Sequence, residues 1–286
     1  MHLPRAASEV TNVLLAIGIM TGIALFFAVV LTVAWRFLRV AEDPRLEALD
    51  EALPGSNCGA CGEPGCKAFA VKLLAGAHTP SDCTVNSPEG IEAVAELLGV
   101  DAGEATKRVA RLACAGGYGQ ARRLAEYRGF DSCSGAAVLS GGGKSCPWGC
   151  LGLADCEVAC GFDAISMNRN GLPVVDVLEC TACGDCVEAC PRDLFHVTPL
   201  EHALLVQCSA PLAGEAAMAL CAVACDACGR CAQDAPQELI RMVDGLPVVD
   251  YAGGGPATPA ITARCPTGAI VWAPGQQFPV LERVYA

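Results

Sequence analysis

The sequence predicts an α+β protein that begins with a single transmembrane helix and continues with a small helical domain and two related modules of short strands and helices. Three observations predict this fold. An uncharged run covers residues 11–35, twenty cysteines fall into spaced groups, and one hexapeptide occurs twice in the C-terminal half. The expected domains are an anchor at 1–40, a helical cysteine-rich domain at 41–100, a helical and Gly-rich linker at 101–140, and modules at 141–205 and 206–286.

The composition points to thiol chemistry and away from nucleic acid. Aromatic residues make up only 5% of the 286 residues, whereas cysteine occurs 20 times. The formal net charge is −12, and no long run of Lys or Arg offers the positive surface that phosphates need. The spacing of the cysteines along the sequence is therefore the evidence that distinguishes disulfides, metal ligands and inert buried thiols.

The N-terminal uncharged run is long enough to cross a membrane. As a helix, Thr11–Trp35 would extend about 37 Å at about 1.5 Å per residue, more than the bilayer core of about 30 Å. A cleaved signal peptide has a shorter apolar region, and a buried helix is rarely apolar over this length. Arg36, Arg39 and Arg45 follow the run and only Arg5 precedes it, which places the C-terminal bulk in the cytoplasm. Because that compartment keeps thiols reduced, metal binding becomes the leading explanation for the cysteines.

The first cysteine group has the spacing of an iron–sulfur site. Cys58, Cys61 and Cys66 lie close together, and Cys83 follows them. Four thiolates suffice for one [4Fe–4S] cluster, and the glycines between them allow backbone N–H groups to turn toward sulfur. The alternative is a zinc site with four cysteines, which would use two Cys-x-x-Cys pairs where this segment has one.

The strongest motif is the Cys-x-x-Cys-x-x-Cys-x-x-x-Cys-Pro run of bacterial ferredoxins at Cys180–Pro191. In that fold the first three cysteines bind one cluster and the fourth binds another, so a reciprocal set is required. The partner segment has looser spacing, and Gly161 replaces the usual proline. We expect one cluster on Cys146, Cys150, Cys156 and Cys190, and another on Cys160, Cys180, Cys183 and Cys186. Asn170-Gly171, between two short apolar runs, predicts a β-hairpin that links the ligand loops.

The hexapeptide Gly-Leu-Pro-Val-Val-Asp at 171–176 recurs at 245–250, which indicates an internal duplication. In the second copy, Ala235 occupies the position of the crossing fourth ligand, and the next ligand triplet is missing. All these losses fall on one cluster. We therefore expect a ferredoxin-like module that retains a single cluster, bound by Cys225, Cys228, Cys231 and Cys265.

Four cysteines lie outside these groups, and four is the number that a fifth cluster requires. They are Cys114, Cys133, Cys208 and Cys221. The alternative is that they are buried thiols, because cysteine packs as a small hydrophobic residue. The sequence thus predicts four [4Fe–4S] clusters and leaves a fifth open.

Two further segments carry local predictions. Apolar periodicity at 88–98 predicts a helix, and a capping-box pattern that begins at Asp101 predicts a second helix reaching Cys114. Gly141–Ser145 has only part of a phosphate-loop motif and stands directly before an expected ligand, which disfavours nucleotide binding. No serine, cysteine or histidine constellation indicates a hydrolytic centre, so we expect electron transfer without a catalytic substrate site.

The order of these features resembles the B subunit of the Rnf complex over nearly the whole chain. The resemblance is carried by the N-terminal span and by the segments Asn57–Gly62, Cys114–Gly117, Cys146–Leu153 and Cys180–Pro191. It implies a relay component of a translocase, anchored in the cytoplasmic membrane with its clusters on the cytoplasmic side, which takes electrons from reduced ferredoxin or a flavodoxin.

The resemblance also implies the A, C, D, E and G subunits of the Rnf complex as partners, contact with membrane lipid, and NAD⁺ bound elsewhere in the complex. Electron flow would then be coupled to movement of Na⁺ or H⁺. Two other functions are compatible with the residues. One is a ferredoxin-like component of a membrane hydrogenase or dehydrogenase, and the other is a zinc-bearing structural or sensing protein.

Overall fold

The structure is a computed structural model that describes residues 4–38, 43–104 and 106–279. The chain divides into two compact units, Met1–Ala48 and Leu49–Ala286. The helices in the described ranges are α1 (Pro4–Leu38), α2 (Pro44–Ala52), α3 (Cys66–Leu74), α4 (Pro88–Leu98), α5 (Cys133–Val138), α6 (Asp155–Val158), α7 (Asp185–Glu188), α8 (Gly214–Met218) and α9 (Arg230–Asp234). The strands there are β1 (Arg108–Leu112), β2 (Ile165–Met167), β3 (Pro173–Val175), β4 (Phe195–Pro199), β5 (Leu204–Val206), β6 (Ile240–Val243), β7 (Leu246–Val249) and β8 (Ile270–Trp272).

Helix α1 fits the predicted anchor. In the described part of the chain, Leu14–Phe37 is the one helical stretch that is long and apolar enough to cross a membrane. The hydroxyls of Thr21 and Thr32 donate to the carbonyls of Ile17 and Ala28, one turn earlier, which suits an apolar surrounding. Of the arginines used to predict sidedness, Arg39 lies outside the described residues.

The predicted helix at 88–98 is confirmed as α4, and its ends follow from local chemistry. The Ser87 hydroxyl accepts the Gly90 N–H at 3.1 Å, and Pro88 occupies the first turn, where a missing N–H costs nothing. Gly99 ends the helix in the left-handed conformation, with φ +67°. Val94 on this helix and Phe69 on α3 are fully buried, so both helices contribute to the core of the small domain.

The helix predicted from Asp101 to Cys114 is wrong, because this segment contains strand β1. The Asp101 carboxylate accepts the Gly103 N–H at 2.8 Å, and Gly103 has φ +81°, so the chain turns here instead of entering a helix. Residues 108–112 then pair antiparallel with β4, from Arg108 opposite Pro199 to Leu112 opposite Phe195. Tertiary pairing with a distant strand has overridden the local helical pattern.

Strands β1 to β4 and the short helices α6 and α7 form a first module of short strands and helices. Strand β1 pairs with β4, and β2 pairs with β3. The predicted hairpin around Asn170-Gly171 is confirmed, with Ile165 opposite Val175 and Gly171 at φ +66°. Strand β1, placed by the sequence in the linker, thus belongs to this module, whose core includes Val109, Leu112, Ile165, Leu194 and Phe195.

The second module repeats this arrangement with β5 paired to β8 and β6 paired to β7. The second hexapeptide copy follows a two-residue turn at Asp244-Gly245, where both residues have positive φ, as a type I′ hairpin requires. Where the first module has α7, this one has a short 3₁₀ helix at Pro259–Thr262. Tyr251 fixes the segment before it, because its hydroxyl bonds to both the N–H and the carbonyl of Leu204.

Candidate metal centres

Four cysteines belong to the small N-terminal domain and are named here the N-terminal quartet: Cys58, Cys61, Cys66 and Cys83. The Asn57 side chain accepts the Cys66 N–H at 2.8 Å, which joins the start of the loop to the start of α3. His78 contacts Glu63 at 3.2 Å and Asp82 at 3.1 Å, so it ties the loop to the segment before Cys83. Burial raises the pKa of the Cys83 thiol, and the neighbouring Cys61 and Cys66 add to this shift.

Three further groups of four cysteines each line a cavity between protein atoms. Cavity A is lined by Cys160, Cys180, Cys183 and Cys186. Cavity B is lined by Cys133, Cys150, Cys156 and Cys190. Cavity C is lined by Cys114, Cys146, Cys208 and Cys221. The three cavities have the same donor set of four thiols.

Cavity A brings together the four cysteines that the sequence spacing grouped. Cavities B and C differ from the expectation, because Cys133 and Cys146 have exchanged places. An Asp155 carboxylate positions Cys133 beside cavity B, since it accepts the N–H of Cys133 at 2.7 Å and of Ser134 at 2.9 Å. Helix α5 therefore begins with the Cys133 thiol fixed against the loop that carries Cys156.

The backbone explains why Cys133 is needed in cavity B. In three ligand loops, the second and fourth residues after the first cysteine have positive φ. These pairs are Gly152 and Ala154, Ala182 and Gly184, and Ala227 and Gly229. Leu153 consequently stands where Cys183 and Cys228 stand in the other loops, so the loop lacks its middle thiol. Counting back from Cys160 in the regular spacing would have revealed this gap.

Cavity C lies between the modules and includes three cysteines that spacing could not group. Cys114 follows β1 of the first module, whereas Cys208 follows β5 of the second, and Cys221 lies after α8. A Cβ atom added to Gly116 would lie 3.0 Å from the Cys221 sulfur and 3.7 Å from the Cys114 sulfur. Glycine at this position therefore keeps space open between two thiols.

The last group, named the C-terminal quartet, is Cys225, Cys228, Cys231 and Cys265. Cys231 is buried in the core of the second module, and Cys265 packs against that core. The position of the crossing ligand is occupied by Ala235, as the duplication predicted. The backbone supports this equivalence of Ala235 with the crossing ligands Cys160 and Cys190. The residue three positions after each of them has φ between 51° and 69°.

Burial controls the thiol chemistry in these groups. It raises the pKa of Cys150 and of Cys186 to about 12, and neighbouring cysteines add to both shifts. Burial also favours the neutral thiol at Cys265, but hydrogen bonds from the backbone of Ile270 and Thr267 outweigh it, so that pKa is lowered. A quartet of buried thiolates is unfavourable by itself and needs a cationic group among its sulfurs.

The donor sets fit an iron–sulfur cluster. Each enclosed cavity has four sulfurs, and Gly116 leaves open the space that a side chain would fill. In the described ranges, no three His, Cys, Asp or Glu side chains converge closely enough to hold one ion. A [4Fe–4S] cluster binds each thiolate at a different iron and so accepts donors spread around a larger group. The zinc alternative would require sulfurs about 3.8 Å apart, from a tetrahedral Zn–S distance of about 2.3 Å.

The five groups are neighbours in a fixed order. The Thr84 hydroxyl, beside Cys83, donates to the Thr181 carbonyl at 2.5 Å and joins the N-terminal quartet to cavity A. Helix α6 contains Cys156 of cavity B and ends two residues before Cys160 of cavity A, and helix α7 contains Cys186 of cavity A and ends two residues before Cys190 of cavity B. These segments join A to B. The Cys150 N–H donates to the Cys114 sulfur at 3.4 Å and joins B to C. Cys221 of cavity C precedes the first thiol of the C-terminal quartet by four residues.

Comparison with known proteins bears on the same residues. Family models for an Fe–S cluster and for a 4Fe-4S binding domain match residues 53–85 and 173–195. The B subunit of the Na⁺-translocating ferredoxin:NAD⁺ oxidoreductase complex of Acetobacterium woodii is 41% identical over 239 residues, which cover 84% of this chain and 72% of that protein.

Two other relatives extend over nearly the whole chain. The B subunit of the proton-translocating ferredoxin:NAD⁺ oxidoreductase complex of Clostridium ljungdahlii is 35% identical over 261 residues, 91% of this chain and 92% of the relative. The B subunit of an ion-translocating oxidoreductase complex of Methanosarcina acetivorans is 32% identical over 255 residues, 89% of this chain and 96% of the relative.

Proposed function

Because the chain belongs to the family of B subunits of ion-translocating ferredoxin:NAD⁺ oxidoreductase complexes, the Rnf family, we propose that it relays electrons through five [4Fe–4S] clusters. The observation that carries the proposal is the convergence of twelve cysteines, four in each of cavities A, B and C. The remaining eight fall into two groups of four by their spacing in the sequence. The number of clusters then becomes five, because Cys114, Cys133, Cys208 and Cys221 are ligands and not incidental buried thiols.

The chain's own residues prepare these sites for electron transfer. A [4Fe–4S] cluster accepts and releases single electrons without bond chemistry on the protein. The cysteines hold each site in a buried pocket, and backbone N–H groups such as those of Gly152 and Val223 donate to the sulfurs of Cys150 and Cys221. Apolar side chains, including Leu112 and Phe195 at cavity B, exclude water. The protein therefore provides ligation, hydrogen bonding and spacing.

The order of the groups supports a linear route. It runs from the N-terminal quartet through cavities A, B and C, with a direct contact or a short helical segment at each of these steps. The last step, to the C-terminal quartet, follows the chain from Cys221 to Cys225. Reduced ferredoxin, or a flavodoxin, is the electron donor in this proposal, and the A, C, D, E and G subunits are the partners. The NAD⁺ site belongs to one of these partners, and the complex moves Na⁺ or H⁺.

Helix α1 supplies the membrane anchor in this proposal. The helix crosses the cytoplasmic membrane once, through lipid, and the cysteine-rich unit lies on the cytoplasmic side. The excess of arginines that follow the apolar run supports this orientation.

Anaerobic purification with iron and sulfide quantitation tests the cluster count. Five clusters give about 20 iron and about 20 sulfide per chain, and four clusters give about 16. The lower count would remove the cluster proposed in cavity C or B, and a chain free of iron would remove the function. Co-purification of the complex partners separates this role from that of a hydrogenase or dehydrogenase component.

A Cys183→Ala change tests the relay itself. It removes one ligand of cavity A, so reduced ferredoxin should still reduce the clusters on one side of the break and fail to reduce those on the other. EPR of the freeze-quenched protein measures the two populations. Unchanged reduction of every cluster would contradict the linear route.

A further inference from the structure

The Gly-Gly-Gly-Lys segment at 141–144 places a lysine inside the protein. The three glycines have φ of +68°, +60° and +73°, a run of left-handed residues that side chains rarely adopt. A Cβ on Gly143 would lie 2.3 Å from the Ala125 carbonyl oxygen, so the turn is also sterically closed to other residues. The next side chain, Lys144, is only 9% exposed. Fully buried lysines are rare unless they are paired.

The Lys144 ammonium is held by two carbonyl groups at the boundary of two cavities. Its Nζ donates to the Gly116 and Cys150 oxygens, each at 2.5 Å. Gly116 lies against the thiols of cavity C, and Cys150 is a ligand of cavity B. No carboxylate forms an ion pair with Lys144 within residues 43–104 and 106–279. Carbonyl dipoles alone leave a buried charge uncompensated, which is costly.

The side chains nearest to this ammonium that can carry a negative charge are the thiols of two cavities. Lys144 lines cavity C together with Cys114 and Cys146. Its hydrogen bond to the Cys150 carbonyl places it beside a ligand of cavity B as well. One buried cation thus lies next to the thiols of two adjacent sites.

We propose that Lys144 is a tuning residue whose buried ammonium raises the reduction potential of the cluster in cavity C and, by a smaller amount, that of the cluster in cavity B. The inference rests on the proposed function, because it requires clusters in both cavities. A cluster held there would gain one negative charge on one-electron reduction, and no proton or bond would be exchanged. The nearby ammonium stabilises that added charge in a medium of low dielectric constant. Electron transfer from B to C is thereby made more favourable.

A Lys144→Gln change separates the charge from the hydrogen bonds, because glutamine still donates N–H groups to carbonyls but carries no charge. We expect the ratio of reduced to oxidised cluster in cavity C to fall at least tenfold at a fixed potential. For a one-electron couple this corresponds to a midpoint about 59 mV more negative. The measurement is an EPR-monitored redox titration of the purified full-length protein, with dithionite as reductant.

Two matched variants test the origin of the shift. Lys144→Arg keeps the charge and should restore the ratio to within about twofold of the wild type. Lys107 also donates to the carbonyl of a ligand, Cys180 of cavity A, at 2.8 Å, but its side chain is exposed. Lys107→Gln should therefore change the ratio of reduced to oxidised cluster in cavity A by less than about twofold, since water screens the charge. A Cys221→Ala protein identifies the signal of cavity C as the component that it loses.

The outcomes separate this inference from the function on which it rests. If Lys144→Gln keeps about 20 iron atoms and the signal of cavity C does not shift, the inference is overturned and the relay stands. If the wild type holds no cluster in cavity C, the proposal of a relay through five clusters is itself wrong. If the Lys144→Gln protein fails to assemble its clusters, the test uses the reduction potentials of the wild-type clusters instead. The component lost in Cys221→Ala must then be reduced at a less negative potential than the component lost in Cys183→Ala, and the opposite order overturns the inference.

Discussion

A methyl group at position 116 should remove the cluster of cavity C and leave the other four sites loaded. Gly116 has an ordinary φ, so alanine is not strained by the backbone itself. The added Cβ would lie 3.0 Å from the Cys221 sulfur and 3.5 Å from the Ala121 Cβ. The change therefore acts by occupying space between the thiols.

The size of the effect follows from contact distances. Non-bonded heavy atoms rest about 3.5–4.0 Å apart, so the Cys221 sulfur has to move by about 0.5–1 Å. Functional sites tolerate displacements of only about 0.5 Å. We expect Gly116→Ala to lower the iron content from about 20 to about 16 atoms per chain. Iron and sulfide quantitation on anaerobically purified protein, with EPR of the reduced state, measures this loss.

Gly161 provides the matched control. It follows the cavity A ligand Cys160, has no positive φ, and a Cβ there would meet nothing within 4 Å. Gly161→Ala should therefore keep all the iron of the wild type. A Gly116→Ala protein that retained about 20 iron atoms and an unchanged EPR spectrum would refute the steric reasoning.

Three further changes test particular contacts. Cys133→Ala should abolish the EPR component of cavity B, whereas Cys146→Ala should abolish that of cavity C, because each removes a thiolate from a different site. Asp155→Ala removes three hydrogen bonds that hold the start of α5. It should cost about 2 kcal/mol, seen as loss of cluster absorbance at lower urea. Gly245→Val forces a side chain into a left-handed residue at φ +80°. It should cost about 1–2 kcal/mol, measured as a lower urea midpoint for unfolding of the second module.

Each of these tests has a result that would count against the structure. Loss of the same component in Cys133→Ala and Cys146→Ala would show that both belong to one site. An Asp155→Ala protein with wild-type urea resistance would mean that α5 needs no anchoring by this carboxylate. Wild-type stability of Gly245→Val would contradict the turn assigned to the second hairpin.

Several features were predictable from the sequence because their causes are local. The apolar run of α1 follows from composition alone, and the ends of α4 follow from Ser87 and Gly99. Within a ligand loop, cysteine spacing sets the geometry, so Cys180, Cys183 and Cys186 were grouped from spacing. The family was confirmed for the same reason, since its motifs are short and contiguous.

The tertiary structure alone decided which distant segments meet. Segment 108–112 has a helix-like start, yet it becomes a strand because β4 offers hydrogen-bond partners more than 80 residues away. Cavity C joins Cys114 to Cys208 and Cys221, and the exchange of Cys133 with Cys146 depends on where Asp155 holds α5. Periodicity and spacing describe neighbours along the chain. They carry no information on contacts across a hundred residues, which packing of the whole domain determines.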